Sequence, residues 1–304
     1  MRIASLLPSA TEIVCALGLE DQLVAVTHEC DFPASVAGKP VVTASLIEGN
    51  GSSSEIDRHI RRLVHAGSSI YRLDADRLHA LRPDLILTQE LCAVCAVSYP
   101  IVEAAARRLD ESTQLVSLEP ERLEDVFGHI ALVARLAGRP SAASPIIGSL
   151  KDRIKAVRGL LQGVVPARVV CLEWLDPLYS CGHWTPELVE LAGGLELLGV
   201  AGRPAERVAW DDVRESDPDV LVVMACGFSL SKSQAEVASL AGRPGFDEMR
   251  AVRSGRVYVV DGNAFFSRPG PRLVTSVEIL AGLLHPDVVP PPAASAAARW
   301  SRPV

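Results

Sequence analysis

The sequence has few aromatic residues, no run of basic residues and no long apolar run, and each absence removes a class of protein. Aromatic side chains make up 5% of the 304 residues and the net charge is −7, which argues against a surface that binds nucleic acid. No window stays apolar over the roughly 20 residues that a membrane-spanning helix requires. We therefore expect no nucleic-acid partner and no insertion into a membrane.

Three motifs that mark common enzyme classes are also missing from the sequence. It contains no GxxxxGK[ST] phosphate loop, no GxGxxG motif after the first predicted strand and no GxSxG nucleophile turn. These absences disfavour nucleotide hydrolysis, ordinary dinucleotide chemistry and α/β-hydrolase catalysis. We therefore expect a binding protein rather than an enzyme.

The start of the chain, MRIASLLPSATEIVCALGL, lacks the features of a secretory signal. It holds one basic residue, a proline and a glutamate where an unbroken apolar core is required, and no small-residue cleavage pattern. These features predict a cytoplasmic location. In that compartment the seven cysteines are expected as thiols, metal ligands or core residues rather than as disulfides.

One predicted helix, at residues 142–163, organises the chain. Its apolar residues recur at three- and four-residue spacing, with Ile147, Leu150 and Ile154 on one face and charged residues on the other. Short strands alternate with helices on both sides, which predicts an α/β fold of two lobes with a ligand cleft between them. The predicted parts are an N-terminal lobe, a linking helix, a C-terminal lobe and a disordered tail, at residues 1–141, 142–163, 164–287 and 288–304.

Soft, ionisable and aromatic side chains follow the predicted strands of both lobes. Ligands of open parallel α/β sheets bind beyond the carboxyl ends of the strands, so these side chains are candidates for a ligand site. The polar groups are His28, Glu29, Cys30, Glu90, Cys92, Cys95, Glu173, Cys181, His183 and Cys226. The aromatic groups nearby in sequence are Trp174, Tyr179, Trp184, Phe228 and Phe266.

The Cys92-x-x-Cys95 pair has three interpretations that the sequence leaves open. It is half of a zinc or iron–sulfur site completed by Cys30, Cys226 or a histidine, or it is a redox dithiol, or it is a pair of packed thiols. A second CxxC pair, which would complete a zinc signature, is absent.

Each of the other candidate residues has either a role in ligand contact or catalysis or a purely structural role. His28 and His183 either contact a ligand or make structural hydrogen bonds. Arg268 either pairs with a ligand phosphate or carboxylate or forms a salt bridge at the start of a helix. The glutamates that follow the strands either serve as acid–base groups or cap helices.

Several stretches resemble the Fe/cobalamin periplasmic-binding domain family, the helical-backbone class of ABC-transporter substrate-binding proteins, and above all its cobalamin-binding members. Five of them, in family order, are IASLLPSATEIVCALG (3–18), LHALRPDLILT (78–88), GHWTPELVELAGG (182–194), VAWDDVRESDPDVLVV (208–223) and SRPGPRL (267–273). The resemblance implies two Rossmann-like lobes joined by one long helix, with a cobalamin or related corrinoid ligand held between them. It also implies an ABC-transporter component as partner.

The resemblance also implies which loops contact the ligand. With Glu90 added from another strand end, the predicted contact residues are His28, Glu29, Cys30, Glu90, Trp174, His183, Trp184, Phe266 and Arg268. Two other functions stay open. One is a zinc or iron–sulfur metalloprotein or redox enzyme that uses Cys30, Cys92, Cys95 and Cys226, and the other is binding of an iron–siderophore or haem.

Overall fold

The computed structural model describes residues 1–47, 51–65, 69–90, 99–107, 109 and 112–302. The chain divides into two compact units, each of which is described by itself. The first unit comprises Met1–Gly51, Glu55–Pro120 and Asp125–Ile147, and the second comprises Ser52–Ser54, Glu121–Glu124 and Gly148–Val304.

A parallel sheet forms the centre of the first unit. Its strands run in the order β2-β1-β5-β6, and β3 and β4 form a separate antiparallel pair. The strands are β1 (Ile3–Ser5), β2 (Leu23–Ala25), β3 (Thr43–Ser45), β4 (Tyr71–Leu73), β5 (Leu85–Thr88) and β6 (Gln114–Ser117). The helices are α1 (Pro8–Ala16), α2 (Ser53–His65), α3 (Ala75–Leu81), α4 (Tyr99–Ala106) and α5 (Leu123–Leu136).

The second unit is built on a mixed sheet in the order β12-β11-β10-β7-β8, with β9 also paired to β7. Its strands are β7 (Ala167–Leu175), β8 (Leu178–Ser180), β9 (Gly194–Glu196), β10 (Val220–Val223), β11 (Val257–Val260) and β12 (Ala297–Arg299). The helices are α6 (Ala143–Leu160), α7 (Thr185–Leu191), α8 (Trp210–Ser216), α9 (Leu230–Ala241), α10 (Arg250–Arg253) and α11 (Leu273–Leu284). Within the described ranges, every helix is too short or too polar to cross a lipid bilayer.

Helix α6 carries the chain from the first unit into the second. Leu150 and Val157 are buried, as the apolar stripe predicts, and charged residues occupy the exposed face. Arg153 makes a bidentate ion pair with Glu278 of α11, with nitrogen–oxygen distances of 2.8 and 2.6 Å. The prediction of an α/β fold with two lobes and one long connecting helix is confirmed.

The same turn recurs in both units, before β5 and before β10. The residue that precedes each Pro-Asp pair adopts a left-handed conformation, with φ of 40° at Arg82 and 39° at Asp217. In each case the following aspartate accepts the backbone N–H of an arginine beside the neighbouring strand, at 2.7 Å for Arg2–Asp84 and 3.0 Å for Arg168–Asp219. The repeated sequences LRPDLIL and SDPDVLV therefore encode equivalent strand entries.

The end of the chain corrects one prediction. Residues 288–304 were expected as a disordered tail, but β12 pairs antiparallel with β11 in this segment. Trp300 donates its backbone N–H to Val257 at 2.8 Å, and its indole packs edge-on against Phe246 at 5.6 Å. The Pro- and Ala-rich composition of this segment predicts disorder, but its tertiary contacts order part of it as a strand.

Two glycines of the α6 region allow a test of backbone geometry alone. An added Cβ meets nothing within 4 Å at Gly148, inside the helix, or at Gly163, after it, but Gly163 has φ of +77°. Gly148→Ala is expected to stabilise the protein by about 0.5–1 kcal/mol because alanine loses less conformational freedom in a helix. Gly163→Ala is expected to cost about 1–2 kcal/mol because L-residues disfavour the left-handed region. Urea unfolding of both variants measures the difference, and equal effects would contradict this account.

Candidate functional site

The carboxyl ends of β7, β10 and β11 lie together in the second unit. Cys226 donates its backbone N–H to the carbonyl oxygen of Glu173 at 3.0 Å, and Asn263 donates to that of Phe228 at 3.0 Å. Gly227 donates to the Ser267 hydroxyl at 3.4 Å. These bonds join the loops after the three strands into one surface. Together with the turn at residues 182–184, we call it the strand-end face.

Aromatic rings form part of the strand-end face. Trp174 is half-buried and packs edge-to-face against Phe228, with ring centroids 5.0 Å apart. Its indole N–H donates to the Asp176 carbonyl at 3.1 Å. The Lys232 ammonium lies 3.9 Å from the centre of the Phe228 ring, in cation–π geometry. The Trp174 ring is therefore held by its neighbours while part of its surface stays accessible.

The turn at residues 182–184 adds an imidazole to this face. His183 has φ of 48°, and its ring stacks on Trp184 with centroids 5.6 Å apart. Its Nδ1 atom is buried and meets no hydrogen-bond partner among the described residues. Burial lowers the pKa of His183, so the ring is neutral at physiological pH. A neutral imidazole has one unprotonated ring nitrogen, which can accept a hydrogen bond or ligate a metal centre.

Three predicted contact residues in the loops of the strand-end face have buried side chains. Trp184 and Phe266 are buried, and the Trp184 indole donates to the Phe266 carbonyl at 2.9 Å. Arg268 is also buried, with 4% of its surface exposed, and donates to the Asn263 side chain at 3.2 Å. These placements suit residues that position the loops, and exposure favours Trp174 and His183 for direct contact with a ligand.

Glu173 is a half-buried acid near the carboxyl end of β7. Its carboxylate accepts hydrogen bonds from the Gly182 N–H at 3.1 Å and the Thr185 hydroxyl at 3.3 Å. Burial of this carboxyl group, aided by the nearby Cys226 thiol, raises the pKa of Glu173 to about 8. Glu173 is therefore largely protonated at neutral pH.

The raised pKa of Glu173 predicts a pH dependence of stability. A folded-state pKa of about 8 against the ordinary value of 4.5 means that protonation favours the folded state. Its contribution is complete below pH 4.5 and is lost as the pH rises through about 8. Urea unfolding between these limits should therefore show stability falling with pH in the wild type and falling less in Glu173→Gln. The exposed Glu190→Gln variant should keep the wild-type slope, and an unchanged slope in Glu173→Gln would refute the assignment.

In the first unit, an imidazole follows β2. The Nδ1 atom of His28 lies 2.7 Å from the Thr43 hydroxyl, and its Nε2 atom lies 3.4 Å from the Glu29 carboxylate. The ring also packs against Tyr71 with centroids 5.5 Å apart. Two residues later, the Cys30 thiol lies 3.0 Å from the Thr11 hydroxyl of α1. His28 and Glu29 thus contact each other after β2, and Cys30 contacts α1, while their role in binding a ligand stays a prediction.

The remaining predicted positions are not brought together by the described structure. Glu90 is exposed after β5, and its backbone N–H donates to the Glu119 carboxylate. Cys92 and Cys95 lie outside the described residues. Cys30 belongs to the first unit and Cys226 to the second, so their predicted metal site stays a prediction.

A different set of metal-ligand type comes together among the described residues. The thiols of Cys171 and Cys181 and a carboxylate oxygen of Glu196 all lie within 4.8 Å of one another. The sequence pattern predicted no shared site for these three residues. Their proximity depends on how β8 and β9 pair with β7, and the spacing of the residues along the chain does not encode that pairing.

Two α/β units, one long connecting helix and polar and aromatic groups at the strand ends define the fold class of two-lobed binding proteins. The family model of the periplasmic binding proteins matches residues 3–264. The chain therefore belongs to the periplasmic binding protein family, and the resemblance deduced from its sequence stretches is confirmed.

Similar proteins share most of the chain at low identity. The uncharacterised ABC transporter substrate-binding lipoprotein YvrC of Bacillus subtilis is 24% identical, over 94% of this chain and 80% of its own length. The vitamin B12-binding protein of Vibrio cholerae is 22% identical, over 91% of this chain and 86% of its own. A solved periplasmic haem-binding protein of Pseudomonas aeruginosa is 19% identical with a TM-score of 0.74, covering 100% of this chain and 99% of its own.

These relatives bear on two further predictions. They include a lipoprotein and periplasmic proteins, so the predicted cytoplasmic location is not supported. Nor do they support a resident metal site, because their names point to B12 or haem as ligands. The likeness to the haem-binding protein is too low in identity to indicate more than a shared fold.

Proposed function

We propose that this protein is an ABC-transporter substrate-binding protein whose ligand is cobalamin or a related corrinoid. A corrinoid presents a broad apolar macrocycle with uncharged amide groups around its rim. Such a ligand needs aromatic faces and uncharged hydrogen-bonding groups rather than a cluster of cations. Vitamin B12-binding proteins that match over most of the chain support this choice of ligand.

The observation that carries the proposal is the chemical character of the strand-end face. Trp174 offers an accessible ring, and His183 offers a neutral imidazole. The basic groups of this face are already engaged, since Arg268 is buried against Asn263 and Lys232 lies over Phe228. A ligand without strong negative charge fits these groups best. The proposed contacts in the first unit are His28 and its neighbours at the strand end.

Haem is the second candidate ligand. Several solved haem-binding proteins share the fold, and imidazole is a common axial ligand of haem iron. His183 and His28 are the residues that would serve this role. Haem also carries two propionates, however, and the engaged state of Arg268 and Lys232 favours the uncharged rim of a corrinoid.

The proposal predicts a large contribution from Trp174. Replacement by alanine is expected to weaken cyanocobalamin binding about 30-fold, which corresponds to the roughly 2 kcal/mol typical of a well-packed aromatic contact. Equilibrium dialysis, read by the visible absorbance of the ligand, measures the change. Trp300→Phe is the control. The backbone N–H of Trp300 donates to Val257 at the amino end of β11, so Trp300 lies away from the carboxyl ends of the strands.

The outcome is informative in both directions. Weaker binding in Trp174→Ala with wild-type binding in Trp300→Phe supports contact at the strand-end face. Equal affinity in Trp174→Ala and the wild type would remove Trp174 from the ligand site. Circular dichroism of both variants separates loss of the ligand contact from loss of the fold.

A further inference from the structure

Three adjacent strands of the second unit bring two buried thiols and one half-buried carboxylate into a compact cluster. Cys171 lies within β7, Cys181 directly follows β8, and Glu196 ends β9. Both β8 and β9 pair with β7, antiparallel and parallel respectively. The three donor atoms lie within 4.8 Å of one another, and both thiols are fully buried. The cluster is thus part of the sheet itself.

Backbone hydrogen bonds hold the donors in place. The Glu196 carboxylate accepts the N–H groups of Cys171 at 3.1 Å, Leu198 at 3.2 Å and Gly199 at 3.2 Å. Cys181 donates its N–H to the Cys171 carbonyl at 3.0 Å. Donors fixed by the strands that carry them lose little freedom when they bind a common ligand.

A glycine encloses the cluster on one side. A Cβ added at Gly199 would lie 2.6 Å from the Cys181 sulfur and 2.5 Å from its carbonyl oxygen. Only glycine therefore allows the loop after β9 to pass this close to the thiol. Both thiols are therefore shielded from bulk solvent, whereas Glu196 is half-buried.

Both thiols are protonated before a metal binds. Burial raises the pKa of Cys171 to about 12, and burial also raises the pKa of Cys181. A metal ion must therefore displace two thiol protons when it binds.

We propose that Cys171, Cys181 and Glu196 bind one thiophilic divalent cation, for which Zn²⁺ serves as the reference ion. Zinc–sulfur bonds of about 2.3 Å place two thiolates about 3.8 Å apart in a tetrahedral site. The donors reach this spacing through side-chain shifts of about 1 Å or less. A water completes the coordination, and binding releases the two thiol protons to solvent. The ion would link β7, β8 and β9. The site is separate from the predicted set of Cys30, Cys92, Cys95 and Cys226.

The experiment isolates this cluster from the other cysteines. A background variant carries serine at Cys30, Cys92, Cys95 and Cys226, which leaves Cys171, Cys181 and the half-buried Cys15 as thiols. The reduced, metal-free chain is titrated with Zn²⁺ against a chromophoric chelator. Cd²⁺ then serves as a spectroscopic probe, because cadmium–thiolate bonds absorb in the ultraviolet.

The expected result is one ion per chain, with cadmium–thiolate absorption and a higher melting temperature on binding. Adding Cys181→Ala should abolish the absorption, whereas adding Cys15→Ala should leave it unchanged. Glu196→Gln, which keeps the size of the side chain and a hydrogen-bond acceptor, should weaken Zn²⁺ binding at least tenfold. This variant keeps the proposal testable even if Cys181→Ala does not fold.

Three results would overturn the proposal. The first is a reduced background variant that folds but binds no stoichiometric metal. The second is metal binding that survives both Cys181→Ala and Glu196→Gln. The third is a Cys171–Cys181 disulfide, found by counting reactive thiols in the denatured chain, in a protein whose reduced form takes up no metal. None of these outcomes depends on corrinoid binding, so this proposal and the proposed function succeed or fail separately.

Discussion

Replacing Phe246 with alanine is expected to lower the free energy of unfolding by about 3–5 kcal/mol, the usual cost of truncating a buried phenylalanine. Its ring is 1% exposed and stacks against Trp210 with centroids 6.3 Å apart. It also packs edge-on against Trp300, the residue that follows β12. The truncation therefore leaves a cavity in the core and removes the aromatic contact that holds the end of the chain.

Urea unfolding followed by circular dichroism measures this loss. Phe32→Ala is the matched control, because Phe32 is 44% exposed and its truncation should change stability by about 0.5 kcal/mol or less. Similar losses in the two variants would contradict the assignment of Phe246 to the core. We also expect faster proteolysis of residues 288–302 in Phe246→Ala, since Trp300 loses its aromatic partner.

Gly182→Ala is expected to destabilise the protein by about 3 kcal/mol or more, at the upper end of overpacking costs. The added Cβ would lie 2.2 Å from the Ala205 nitrogen and 2.7 Å from the Arg203 oxygen. Both are backbone atoms, so no side-chain rotation relieves the clash. The displaced loop also carries the hydrogen bond from Gly202 to the His183 carbonyl, and corrinoid binding should weaken with the loss of this turn.

A glycine in open space provides the control for this substitution. Gly128 lies on the exposed side of α5, and an added Cβ there meets nothing within 4 Å. Gly128→Ala should therefore be neutral or stabilising in urea unfolding. A Gly182→Ala variant as stable as Gly128→Ala would show that the loop at residues 203–205 adjusts freely, against the packing described here.

The strands that are buried on both faces could be predicted from sequence. Val220–Val223 and Leu85–Thr88 are continuous apolar runs entered through Pro-Asp turns, and both form central parallel strands. Strand β8 could not be predicted, because it has three residues and follows the turn signal Asp176-Pro177. Its conformation depends on pairing with β7, which is information from elsewhere in the chain.

The location of the candidate site could be predicted, but the orientation of its side chains could not. The rule that ligands bind at strand ends correctly grouped the loops around Trp174 and Cys226. Residues of those same loops, such as Trp184 and Phe266, are buried instead, because their aromatic surface packs inward. The nearness of Cys171 to Glu196 was also beyond sequence reasoning, since it follows from the pairing of β9 with β7.

Family membership was the strongest prediction from sequence, whereas the ligand depends on details of the site. Motifs such as GHWTPELVELAGG encode a packed turn, a helix start and a glycine at the helix end, which belong to the scaffold. Proteins that share this scaffold include binders of B12 and of haem. We propose that the choice between these ligands depends on a few partly exposed side chains such as Trp174, which a family pattern does not constrain.

The most direct test of the proposed function is the cobalt content of the purified protein. The full chain, purified without oxygen, is incubated with cyanocobalamin alone or with an equal amount of haemin, desalted and analysed for cobalt and iron. We expect about one cobalt per chain after incubation, and little loss of cobalt in the presence of haemin. A cobalt content no higher than background, together with about one haem iron per chain, would contradict the corrinoid proposal. That result would assign the site to haem.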